Sequence, residues 1–392
     1  MKLIITIAYL GILFQTSFAQ NYTNIIESNN HFAFNVYHQL NKTGENLVFS
    51  PASISSAIAM TYVGAKNNTF DEIGRVFYFN KHIEDFSKDY HHLFSTYQDK
   101  KSDIQFYNAN SLWIQENLKL NSEFLDINKK HFLSSLHYTS FIKEPEKSRL
   151  AINRWVEDNT KNKITNLIQP SAIDNTTRLV LVNALYFKGP WKDKFTKDKN
   201  IESDFQVGKK QFVKSVYMNK YITSWYYSDK NAQIIDIQYA DEKTSLMIIL
   251  PKSYRKFRKV ERTLNYEYYS NYIQHKEKKR INLFLPKFNI ESEFDLNKTL
   301  SDLGIRDAFS GAADFSGITS AEKLYISKVV HKANIAVDEE GTEAAAATAV
   351  MMRKTAVLLD EVEFNVNKPF IYLLRNTETN CIYFMGKVIN PN

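Results

Sequence analysis

The apolar positions fall into two regimes along the chain. In the first, the spacing is helical. Ile25 to Leu40 places Phe32, Val36 and Leu40 on one face. Phe86 to Tyr97, Ser122 to Phe132 and Ala151 to Thr160 read as further amphipathic helices. Leu47 to Pro51 is a short strand running into a turn, and Ser53 to Gly64 is a helix rich in small residues. Small side chains let neighbouring elements approach closely, so this helix is expected to be deeply buried. In the second regime strands dominate. Leu179 to Phe187 is continuously apolar, as a strand buried on both faces must be. Ser245 to Pro251 and Ile281 to Pro286 are similar, each ended by proline. Leu324 to Val337 reads as a long strand, and Phe370 to Leu374 and Ile382 to Val388 as short ones. The sum is a mixed α+β domain with large, mostly antiparallel sheets.

One segment fits neither regime. Glu339-Glu340-Gly341-Thr342-Glu343 leads into Ala344-Ala345-Ala346-Ala347-Thr348-Ala349-Val350. Alanine favours helix, but Ala344 to Ala349 has no large apolar residue, so such a helix would have no face to bury. Slender side chains also suit a segment that must enter a crowded interior.

The 392 residues, with glycine (11) and proline (8) both scarce, favour one large domain over hinged smaller ones. Met1 to Ala19 has the form of a secretory leader: Lys2, the apolar run Leu3 to Phe14, then Ser17-Phe18-Ala19. The expected mature domain is 20–392, outside the cell. Five N-x-Thr sequons, at Asn21, Asn41, Asn67, Asn175 and Asn297, accord with secretion. Cys381 is the only cysteine, so no internal disulfide forms and packing must supply stability. It lies in an apolar run and is expected to be buried.

The formal charge of +7 permits attraction to polyanions. Lys276, Lys278, Lys279 and Arg280 form one basic cluster, expected to end a helix beginning near Leu264. Motifs for nucleotide binding, metalloprotease chemistry or a serine-hydrolase elbow do not occur. A lone cysteine excludes cysteine-rich zinc sites. His331, inside the long strand, is expected to be a hydrogen-bonded core histidine.

Taken in order, several segments resemble the serpin family across almost the whole mature chain. They are Asn46 to Ile54, Leu181 to Trp191, Leu283 to Phe288, Val330 to Ala333, Asp338 to Val350, Asn367 to Phe370 and Phe384 to Pro391. The resemblance implies three β-sheets, about eight or nine helices and an exposed reactive-centre loop at about 339–362. It implies a monomer without metal or cofactor whose partner is a serine protease, held as a covalent acyl complex, and neither nucleic acid nor a membrane. After the loop is cleaved it inserts into the central sheet and distorts the protease. The hinge would be Glu339 to Thr348. Ser50, Ser53, Asn183 and His331 match the family's shutter, and Trp191 its breach. Some members bind heparin-like polysaccharide near Lys276 to Arg280, which makes a glycosaminoglycan a second candidate partner.

Two positions compete for the scissile bond. The family's common loop length, counted from Glu339, gives Thr355-Ala356, suiting an elastase-like pocket. A loop one residue shorter gives Lys354-Thr355, and Lys354 or Arg353 suits a trypsin-like protease with a carboxylate in its pocket. The alternative to an inhibitor is a non-inhibitory serpin, a carrier, chaperone or storage protein. That reading goes with bulky, charged or proline residues in the hinge, whereas the positions that would face the core on insertion are Thr342, Ala344, Ala346 and Thr348, all small and uncharged.

Overall fold

The structure, a computed structural model, describes residues 25–41, 44–95, 104–132, 135–342 and 360–392. The leader, Asn21, the hinge from Glu343 onward and Arg353 to Ala356 lie outside them.

Helix α1 (Ile25–Leu40) has the bounds expected from its apolar face. Strand β1 (Leu47–Phe49) feeds α2 (Pro51–Tyr62), which starts at Pro51 because Ser50 caps it, its hydroxyl accepting from Ser53 N–H. Every residue of α2 is buried, as its small side chains demand. Helices α3 (Asn67–Phe77) and α4 (Ile83–Ser95) follow. In the segment expected to be one helix, α5 (Ser122–Ile127) gives way to a π-helical turn, Asn128–Phe132. Helix α6 (Pro145–Asn159) packs on the sheet behind it.

Six strands form the central sheet. These are β2 (Gln105–Gln115), β3 (Ser135–Thr139), β4 (Leu179–Pro190), β10 (Phe288–Asp295), β11 (Lys328–Val337) and a two-residue strand β12 (Gly341–Thr342). Their order is β10-β11-β12-β4-β2-β3. The strand expected from Leu324 begins only at Lys328; before it, Leu324 and Ile326 are buried without ladder pairing. Below β12, β11 and β4 pair directly and in parallel, from Lys328 opposite Val180 to Asn334 opposite Tyr186.

The remaining strands form a nine-stranded sheet: β1, β5 (Ile201–Gly208), β6 (Gln211–Ser228), β7 (Ala232–Gln238), β8 (Thr244–Pro251), β9 (Glu277–Pro286), β13 (Glu361–Asn365), β14 (Phe370–Asn376) and β15 (Ile382–Val388). Among the described residues hydrogen bonding therefore yields two sheets, where three were expected. The cause is β6. Its 18 residues pair with β5 at one end, with β9 through the middle and with β7 at the other. It carries one ladder through what would otherwise be two sheets.

Helices α7 (Phe257–Thr263), α8 (Tyr266–His275) and α9 (Asn297–Leu303) complete the described set. None of the described helices is long and apolar enough to cross a membrane. The Cys381 side chain is enclosed. Between α8 and β14 a charge pair is fully enclosed: Arg375 (0 % exposed) grips Asp236 (1 % exposed) through two bonds of 3.1 and 2.6 Å. Ser245 and Tyr272 hydroxyls donate to the same carboxylate. Burial alone would raise the Asp236 carboxyl pKa; the Arg375 guanidinium outweighs it and holds the group below the usual carboxylate range.

Candidate functional site

The end of the small-residue segment is already threaded into the central sheet. Strand β12 lies antiparallel to both neighbours, with Thr342 opposite Val337 of β11 and Gly189 of β4, and Gly341 opposite Pro190. Only glycine fits at position 341. Its φ is +154°, and an added Cβ would lie 2.1 Å from the Gly189 carbonyl oxygen. The Thr342 side chain is 0 % exposed and its hydroxyl lies 2.6 Å from the Tyr239 hydroxyl.

Aromatic packing forms the floor beneath it. Tyr239 stacks on Trp191 at 4.5 Å and meets Phe187 edge-on at 5.0 Å. Trp191 also fixes the backbone where the hinge begins: its indole N–H donates to Asp338 O (2.8 Å) and its backbone N–H to Glu340 O (2.9 Å). The two hinge carboxylates among the described residues are clamped. Glu340 pairs with Lys194 at 2.8 Å. Glu339, 2 % exposed, pairs with Lys287 at 3.2 Å and accepts from Asn200. Burial alone would raise the Glu339 carboxyl pKa; Asn200 and Lys287 reverse that and hold it low.

Further down the β4–β11 seam lies a polar network in an apolar core. The register places His331 opposite Asn183. Ser50 backbone N–H donates to His331 Nε2 at 3.0 Å, so Nε2 is unprotonated and Nδ1 carries the hydrogen that it gives to Asn183 Oδ1. Asn183 Nδ2 donates to Ser53 Oγ and Asn110 Oδ1, and Ser53 Oγ to Asn110 Oδ1. Ser50 Oγ donates to Tyr383 O at 2.7 Å. Burial pushes the His331 imidazole down to about 3, so the ring is neutral at physiological pH. Ser50, Ser53, Asn183 and His331 thus share one network. Asn110 was missed from sequence because polar residues such as Asn108, Asn110 and Ser111 interrupt the apolar ones along β2. Tyr239, Lys194, Asn200 and Lys287 were missed too, being far from the hinge in the chain.

The basic cluster differs from expectation. Helix α8 ends at His275, and Lys276 is extended (φ −69°, ψ 142°). Lys278, Lys279 and Arg280 lie on β9 instead, where Ile281, Leu283 and Leu285 point inward and the alternation is that of a strand. Carboxylates and rings occupy these charges. Lys279 pairs with Glu277 and Asp360, and Arg280 approaches Glu361 while stacking over Tyr221 at 4.8 Å. Lys276 and Lys278 both sit over Trp225.

Gly341 and Thr342 enter the top of the gap between β11 and β4, and a polar network lies beneath them along the same seam. Known proteins match this chain over most of its length. The family profile described as "Serpin (serine protease inhibitor)" matches residues 27–391. Human serpin B3 is 37 % identical over 389 residues, covering 94 % of this chain and all of its own. A leukocyte elastase inhibitor of Xenopus tropicalis is 34 % identical over 382 residues, with the same coverage. The crystal structure of uncleaved ovalbumin superposes with a TM-score of 0.85 at 27 % identity, covering 94 % of this chain and all of that one. The architecture, the ordered motifs and these matches together place the chain in the serpin family.

Proposed function

We propose that this serpin is a secreted inhibitor of a trypsin-like or elastase-like serine protease, which it traps as a covalent acyl-enzyme by inserting its cleaved loop into the central sheet. The observation that carries this reading is the position of β12. Gly341 and Thr342 already occupy the first antiparallel positions of the slot. Extending that register puts Ala344 level with Phe187 and Ile335, and Ala346 level with Leu185 and Ala333. Thr348 then reaches Asn183 and His331. Each inward-facing residue is small and uncharged, which the packed interior requires. The same register brings Met352 level with Leu179, the first residue of β4. The candidate bonds after Arg353, Lys354 and Thr355 therefore follow directly on the slot's lower end.

The exchange is also favourable in kind. Insertion replaces one parallel pairing, β11 with β4, by two antiparallel ones. The relative named for inhibiting leukocyte elastase is consistent with an elastase-like target. The glycosaminoglycan reading is the weaker one, because Lys279 and Arg280 already face carboxylates.

Incubation with trypsin and with pancreatic elastase, followed by denaturing electrophoresis, tests the proposal. An SDS-resistant complex is expected, and the mass of the released C-terminal peptide identifies the bond. A peptide beginning at Thr355 means cleavage after Lys354; one beginning at Ala356 means cleavage after Thr355. In Thr342→Arg a guanidinium would have to enter the slot unpaired, so cleavage should persist while complex formation largely disappears. Cleavage of the unmodified chain by both proteases without any complex would favour the non-inhibitory alternative.

A further inference from the structure

The four described sequons have similar local chemistry, each an asparagine followed two residues later by threonine. The fold treats their side chains very differently. Asn297 is built into the core scaffold: its Nδ2 donates to Ser327 O at 2.9 Å and its Oδ1 accepts from Val329 N–H at 2.8 Å, tying α9 to the start of β11. Asn41 closes a charged corner. Its Nδ2 donates to Glu261 at 2.9 Å and its Oδ1 accepts from the enclosed Lys387 ammonium. Asn67 is exposed but sits at φ +51° with its amide bonded to Asp314 at 2.6 Å.

Asn175 alone among them has nothing to give up. It is exposed, in a turn held by its neighbours rather than by itself. Asp174 Oδ1 accepts from the Thr176 backbone N–H (2.8 Å) and hydroxyl (2.6 Å), and Arg178 donates to the Asn175 carbonyl at 2.9 Å. The backbone is therefore fixed while the amide projects outward with no hydrogen bond. This is an Asx-type turn, whose geometry comes from the preceding aspartate.

We propose that Asn175 carries an N-linked oligosaccharide in the folded protein and that Asn41 and Asn297 are bare. The proposal rests on passage through the secretory pathway. There an oligosaccharide is transferred from its polyprenyl-diphosphate donor to Asn175 Nδ2. The new bond joins the amide nitrogen to the sugar anomeric carbon, the lipid diphosphate leaves with the electrons of the broken C–O bond, and the amide gives up one proton. Transfer acts on the extended chain, so folding is the filter. A sugar on Asn297 or Asn41 would displace a side chain from partners the native state uses on both sides, and chains so modified would fail to reach the native fold.

The experiment expresses the full chain in a mammalian secretory line behind a borrowed leader, so that failure of the chain's own leader does not enter. The folded monomer is treated with a peptide N-glycosidase in heavy-oxygen water, and tryptic peptides are weighed. The expected result is a heavy aspartate at 175 and unmodified asparagine at 41 and 297. Asn175→Gln should lose one glycan-sized step in gel mobility and keep its thermal midpoint. Asn297→Gln should keep its mobility and lower the midpoint. Sugar on Asn41 or Asn297 of the folded monomer, or an unmodified Asn175, would overturn the assignment. A separate expression with the native leader tests secretion itself.

Discussion

His331 makes the central sheet sensitive to acid. Its folded pKa is depressed from 6.5 to about 3 because a charged ring cannot be solvated there. The unfolded chain therefore binds a proton that the native state refuses. The contribution is whole above about pH 6.5 and is lost as pH falls toward 3. Between pH 7 and pH 5 the loss should be about 2 kcal/mol. Thermal unfolding of the wild type and of His331→Gln at both pH values checks this; the variant should start less stable and show a shallower acid limb. The buried pair makes a sharper prediction. Arg375→Met removes the only described salt-bridge partner of an enclosed carboxylate. It should cost about 3–5 kcal/mol in denaturant unfolding, whereas Arg375→Met with Asp236→Leu should recover much of it. A double variant no better than the single one would mean that the Asp236 carboxylate itself is not the source of the loss.

At the level of elements, the hinge depends on one residue having no side chain. Gly341→Val would place a branched carbon against the Gly189 carbonyl at a φ that valine avoids. The expected result is release of β12 from the slot, costing about 1–3 kcal/mol locally. Hydrogen exchange should then quicken at the Asp338 amide, which donates to Gly341 O, and at the Trp191 amide, which donates to Glu340 O. Unchanged protection at both would show that other contacts hold the hinge. Several elements were legible in the sequence for physical reasons. Ile25–Leu40 has a clean helical stripe, and Ile382–Val388 is apolar apart from Gly386 and Lys387. The strands β2 and β6 were not legible. Each carries polar residues at positions that the fold buries or half-buries, such as Asn110, Ser215 and Ser224, and their partners come from distant segments. That Ser50, Ser53, Asn183 and His331 belong together was legible through family resemblance alone. No periodicity marks Ser53 or Asn183 as partners across 130 residues.

For the whole molecule, the proposed mechanism makes the parallel β4–β11 seam part of a fold held short of its most stable arrangement. A protease that nicks the loop without being trapped should leave a product with a thermal midpoint well above that of the intact chain. Scanning calorimetry of intact and nicked material decides the matter; equal midpoints would mean that the seam never opens. The seam also has a direction. It is entered beside Pro190 and runs out at Leu179, and Asn175 stands four positions before that exit. Whatever is towed by the loop would come to rest beside the sugar tree assigned there. That carbohydrate would act as a bumper at the end of the track, and its bulk would set how hard the cargo is pressed against the pole of the molecule.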